Sequence, residues 1–187
     1  MHAAQFVSDF AALTRQEQST LRVIDRALAE AGLRQRASGK RLPDLKLEEG
    51  VLFLLAVLVN AKPTRAAQAA EQLAEFRCVV GQDRKSASLL AQTIGVPFAA
   101  LSKLKLSQVV AKLCIRLADH LIPDDVRVLV VMQRGGPAFL QMHLGQHHIF
   151  LQFFGTTFID DSSPDLLRET REATEGLLRW IGQNTAR

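Results

Sequence analysis

Arg34, Arg36, Lys40, Arg41 and Lys46 lie between positions 34 and 46, with Asp44 as the one acid among them. Five positive charges less one negative give +4, which is also the formal net charge of the whole 187-residue chain. The remainder is therefore balanced, and the surplus sits in one stretch. Guanidinium and ammonium groups gathered this way neutralise phosphate oxygens and release condensed counterions. Arg22 and Arg26 stand just upstream at a four-residue spacing, which puts both on one side of a helix. These seven cations are the predicted nucleic-acid contacts. Contacts to phosphate hold a protein on a duplex but carry no base sequence, so little base-specific readout is expected from the loop.

No other group of residues makes an equal case for chemistry. His143, His147 and His148 cluster around a turn, but alternation places His147 and His148 on opposite faces of a strand. Only His143 with one of them can meet, short of the three or four ligands a first-row metal wants. Asp124-Asp125 and Asp160-Asp161 flank turns or helix starts, where aspartate caps backbone amides. Arg134-Gly-Gly-Pro137 lacks the Lys-Ser/Thr helix start of a phosphate loop, and no Gly-x-Ser-x-Gly elbow occurs. Cys78 and Cys114 have no CxxC spacing and read as reduced, buried thiols. The expectation is a non-enzymatic protein without metal or cofactor.

The elements that hold the basic stretch follow from periodicity. Residues 3–13 predict a short helix with Phe6, Phe10 and Leu13 on one stripe. Thr14 and Glu17 match the capping-box pattern ahead of a second helix, whose apolar face is Leu21, Ile24 and Leu28. Gly32 suits its C-terminal stop. Gly39 and Pro43 keep the basic loop irregular, and Glu48 and Glu49 open a helix whose body, 51–59, is apolar all round and must be buried. Pro63 suits the first turn of a helix to about Val80. Two more are predicted at 85–94 and 107–121. The pair 63–80 and 84–94, joined across Gly81-Gln82-Asp83, is a second helix-turn-helix-like candidate for DNA contact.

After Pro123 the period changes. Val126–Met132 reads as a buried strand, and 139–144 and 148–154 alternate around a Gly145-Gln146 turn. A three-stranded antiparallel meander is predicted. Ser163-Pro164 then reads as the start of a last helix to Ile181, with Leu167, Thr174, Leu178 and Ile181 on the sheet. Phe139, Phe150, Phe153, Phe154 and Phe158 gather here. Those outside the core would form a patch for a partner protein or a second copy.

Arg26-Ala-Leu-Ala-Glu-Ala-Gly-Leu-Arg34, the basic glycine-containing loop, the acidic helix start and Leu54-Leu55-Ala56 together resemble a group of small prophage-encoded proteins of alphaproteobacteria. Gly136-Pro137-Ala138 is similar to a hairpin later in that group. The resemblance covers the first third of the chain and this hairpin. At Ala37-Ser38-Gly39-Lys40-Arg41 the group carries more glycine. The resemblance implies a phage setting and a DNA-related task.

The expected fold is α+β, with a helical domain over 1–122 and a β-meander plus C-terminal helix over 123–187. A hydrophobic share of 48% and a charged share of 22% suit a soluble chain with a real core. The longest apolar run is half a membrane span, and the first residues lack a signal-peptide pattern, so a cytoplasmic location is expected. The leading functional reading is a DNA-binding regulator that forms a homo-oligomer. A DNA-packaging subunit like a small terminase is one alternative, and copy number separates the two. An interaction module that docks a protein through its Phe-rich sheet is the other.

Overall fold

The computed structural model describes residues 1–36, 42–59, 61–79, 83–123, 126–133, 137–155 and 170–186. Helices α1 (Ala3–Thr14) and α2 (Gln18–Glu30) lead into α3 (Leu47–Val59). As its composition demands, α3 is the central helix, buried along nearly its whole length. Phe6 and Phe10 of α1 meet Phe53 of α3 edge-on, with ring centroids 5.7 and 5.1 Å apart. A short 3-10 turn, Pro63–Arg65, precedes α4 (Ala66–Ala74), whose buried alanines let α3 approach closely.

Strand β1 (Arg77–Cys78) follows, then α5 (Arg84–Thr93), the single-turn α6 (Phe98–Leu101) and α7 (Leu106–Ala118). The sheet continues with β2 (Arg127–Gln133), β3 (Ala138–Leu144), β4 (His147–Phe154) and β5 (Thr170–Thr174) before α8 (Glu175–Asn184). The fold is α+β. Among the described residues the sheet has five antiparallel strands in the order β1-β4-β3-β2-β5, not the three expected. The predicted meander is its middle. Each edge is supplied by a segment distant in sequence, Arg77–Cys78 on β4 and Thr170–Thr174 on β2.

Alternation decides which face is buried. Val128, Val130, Leu140, Met142, Ile149, Leu151 and Phe153 are all inaccessible, packed toward α3, α5 and α8. The buried side chains of the helices and of this sheet face belong to one continuous cluster. Helix α8 lies tightly on α7, because Gly182 has no side chain to hold the Cys114 carbonyl away.

Several local expectations are corrected. Thr14 does not cap α2. It ends α1, donates its hydroxyl to the Phe10 carbonyl at 2.7 Å, and the chain turns at Arg15, whose φ of 55° is left-handed. Glu17 takes the N-cap position, and its carboxylate accepts from the Ser19 and Thr20 hydroxyls. The helix from Pro63 stops at Ala74 rather than Val80, since Phe76 is buried and Arg77–Cys78 pair with β4. A strand therefore separates α4 from α5, and they are not the closely joined pair of the second helix-turn-helix candidate. The last helix begins at Glu175, with Thr174 at its N-cap rather than on its sheet-facing side. Leu178 and Ile181 are buried as expected, while Ser163, Pro164, Leu167 and Phe158 lie outside the described residues. No helix among the described residues is long and apolar enough to cross a membrane.

Candidate functional site

Helix α2 turns Leu21, Ile24 and Leu28 into the core, which leaves Arg22, Asp25, Arg26 and Ala29 along one flank. The chain then reverses at Gly32, whose φ of +76° is a conformation glycine adopts freely, and Leu33 N–H closes the helix on the Leu28 carbonyl at 2.9 Å. That reversal carries Arg34 and Arg36 back beside the same flank. Arg22, Arg26, Arg34 and Arg36 consequently line one hollow of about 530 Å³, with Asp25 and Glu30 beside them and Ala4 and Val7 of α1 as the apolar wall. Four guanidiniums against two carboxylates leave a surplus of two positive charges.

These arginines are not equivalent. Arg34 is held by Asp25 through two contacts, Nε to Oδ1 at 2.6 Å and Nη2 to Oδ2 at 2.9 Å, with side chains only 13% and 18% exposed. Its Nη1 also donates to the Gln35 carbonyl at 2.7 Å. Burial pushes the Asp25 carboxyl above its ordinary pKa and the Glu49 charge adds to this, while Arg34 pulls it down. Arg36 donates from Nε to the Ala29 carbonyl at 2.9 Å and from Nη2 to the Glu30 carbonyl at 3.1 Å. It thereby adds a donor to carbonyls of the last turn of α2, of which Ala29 also accepts from Gly32 N–H at 3.2 Å. Arg22 and Arg26 are exposed at the rim.

Glu49, in the first turn of α3, fixes the base of the basic loop. Its Oε1 accepts from Gln35 N–H at 2.6 Å and its Oε2 from Lys46 N–H at 2.8 Å. One carboxylate thus joins the two arms of the loop. Beyond it, Leu45 N–H donates to the Met1 carbonyl at 2.9 Å, Ala186 N–H to the Leu45 carbonyl at 2.7 Å, and Leu47 N–H to the Ala186 carbonyl at 2.8 Å. Lys46 is exposed beside this joint.

Of the seven predicted contact residues, Arg22, Arg26, Arg34 and Arg36 come together, and Lys46 stands at the neighbouring loop base. Lys40 and Arg41 lie outside the described residues. Arg34 differs from the other three of the hollow in that its guanidinium is paired with Asp25, which ties the reversed chain to α2. Sequence reasoning missed Asp25 and Glu49 as partners. Glu49 was legible only as a helix-start acid, and nothing local marks Asp25 for a residue nine positions away.

Elsewhere, His143 and His148 face each other across β3 and β4 with rings stacked 4.3 Å apart, as the alternation requires. The described residues contain no group of three potential metal ligands. Asp124, Asp125, Asp160, Asp161 and Arg134 are outside the described residues. Cys78 and Cys114 are both buried and free. No family model, curated protein or solved structure matches the chain.

Proposed function

We propose that the protein is a non-enzymatic DNA-binding protein that grips duplex phosphates with the guanidinium groups of α2 and of the segment after it. The reading is carried by one observation: four arginines picked out by sequence converge on a single hollow with a surplus of positive charge. Arg22 and Arg26 make the primary phosphate contacts. Arg36 and Lys46 extend them along the strand, and Lys40 and Arg41 belong to the same basic stretch. Arg34 acts through Asp25, holding the chain after Gly32 against α2. The resemblance to prophage proteins supports a DNA-related task in a phage setting; the protein is proposed to be a regulator and to act as a homo-oligomer, so that two or more such hollows meet one duplex.

The test is binding of a random duplex at rising salt. For each protomer engaged, four contacts from Arg22, Arg26, Arg36 and Lys46 contribute about −3.6 to the slope of log K against log salt. Replacing Arg22 and Arg26 by glutamine brings this contribution to about −1.8, at about 0.9 per contact. A flat response, or a slope unchanged in that double variant, overturns the proposal.

A further inference from the structure

The sheet's second face is turned away from the helices. Along β4 the residues on this side are His148, Phe150, Gln152 and Phe154, and along β3 they are Phe139, Gln141 and His143. Phe150 and Phe154 are 39% and 45% exposed, and Phe150 stacks on Phe139 with centroids 5.3 Å apart. The register sets Phe139 opposite Gln152 and Phe150 opposite Gln141, so an amide lies beside each ring. Arg127 pairs with His143 at one corner and Arg77 with Phe154 at the other, both arginines exposed. Glu172 stands on β5, two strands from Phe139.

We infer that this face binds single-stranded nucleic acid, with Phe150 and Phe154 stacking on unpaired bases, the glutamine amides meeting base edges, and Arg77 and Arg127 meeting phosphates. Two features select this occupant. Within β3 and β4 each ring stands beside a polar amide, and Leu129 of β2 stands opposite Gln141, so the face mixes polar and apolar groups. Rings, amides and corner cations are the three components with which open sheets hold unstacked bases. Phe150 and Phe154 stand four residues apart on β4, about 13.6 Å at about 3.4 Å per residue, so they meet bases that are not neighbours in the strand and leave room for an unstacked base between them. The face shares no residue with the α2 hollow and does not depend on it.

Fluorescence anisotropy of the full chain with fluorescein-labelled dT12, U12 and a 12-base-pair duplex tests this. Both single strands are expected to bind, and their ratio tells DNA from RNA as the preferred source. Phe150→Ala with Phe154→Ala should weaken the single strands at least tenfold, since each base–ring stack contributes about 1–3 kcal/mol. It should leave the duplex unchanged. Arg77→Gln with Arg127→Gln should lower the single-strand salt slope by about 1.4, at about 0.7 per contact. Arg22→Gln with Arg26→Gln should affect the duplex alone, so failure of this inference and failure of the duplex reading are separately visible. The inference is overturned if neither single strand binds, or if both bind the phenylalanine variant as tightly as the parent. It is equally overturned if removing the two rings abolishes only self-association or capture of a protein partner.

Discussion

Replacing Gly182 by alanine tests how closely α8 lies on α7. A β-carbon built at Gly182 falls inside the van der Waals shell of the Cys114 carbonyl oxygen, 2.7 Å from the carbonyl carbon and 3.0 Å from the Ala118 β-carbon. The first obstacle is backbone in the middle of a helix, so no side-chain rotation relieves it. Helix α8 must move outward, and it carries the fully buried Leu178 and Ile181 with it. Overpacking of this kind costs about 1–3 kcal/mol, and the better helix propensity of alanine returns at most about 1 kcal/mol. A net loss of about 1–2 kcal/mol lowers Tm by about 2–8 °C for a chain of this size. Gly176 is the internal control. It lies in the same helix, and its β-carbon would meet nothing closer than the Thr174 hydroxyl at 3.9 Å. Gly176→Ala should therefore hold or raise Tm in differential scanning calorimetry. If Gly182→Ala is as stable as Gly176→Ala, the helices are not in backbone contact, and the packing described for the C-terminal half is wrong.

Arg34→Gln should destabilise by about 3 kcal/mol at pH 7, because it leaves the Asp25 carboxylate buried without its partner. The Asp25 pKa is already raised, so this penalty applies to the ionised form: it is full above the folded-state pKa and fades as pH falls below it. Urea titrations at pH 7 and pH 4 should show the deficit shrinking at the lower pH, and a deficit that grows there would contradict the assignment. Glu49→Ala should lose about 1–2 kcal/mol, and amide exchange at Gln35 and Lys46 should speed up together, because one carboxylate accepts both N–H groups. Burial pushes the Cys78 thiol up to about 11 and the Cys114 thiol up to about 12, so neither should react with a disulfide reagent at pH 8 in the folded protein, while both should react in denaturant.

What could be read from the residues tracks how local the cause was. Helix α3 was legible because a run of apolar residues with two acids at its start admits few other structures. Strands β3 and β4 were legible because Leu140, Met142, Ile149, Leu151 and Phe153 alternate around a two-residue turn, and β2 because Val126–Met132 is a short apolar run after Pro123. Arg77–Cys78 was not, since two residues carry no period, and the preceding alanines extend a helix pattern across them. Thr170-Arg-Glu-Ala-Thr174 hid for a related reason: an edge strand that sets Ala173 in the core between exposed Glu172 and Thr174 shows no apolar alternation to read. In the α2 hollow, the positions of Arg22 and Arg26 follow from helical spacing alone. The return of Arg34 and Arg36 depends on the direction of the turn at Gly32, and the double acceptance by Glu49 depends on where α3 starts relative to that turn. Neither relation exists until the chain has folded.

The borrowed rims of the sheet have a consequence for anyone dissecting the molecule. A fragment beginning after residue 122 would keep β2, β3 and β4 but lose the short segment at Arg77 and Cys78 that occupies the free side of β4. It would also strip α3 and α5 from the face that carries Ile149, Leu151 and Phe153. Exposed backbone donors and acceptors beside bare aliphatic side chains template the addition of further chains. Such a piece, expressed alone, should precipitate or assemble end to end, and adding back a peptide spanning α4 and β1 should slow that assembly by capping one side of the ribbon.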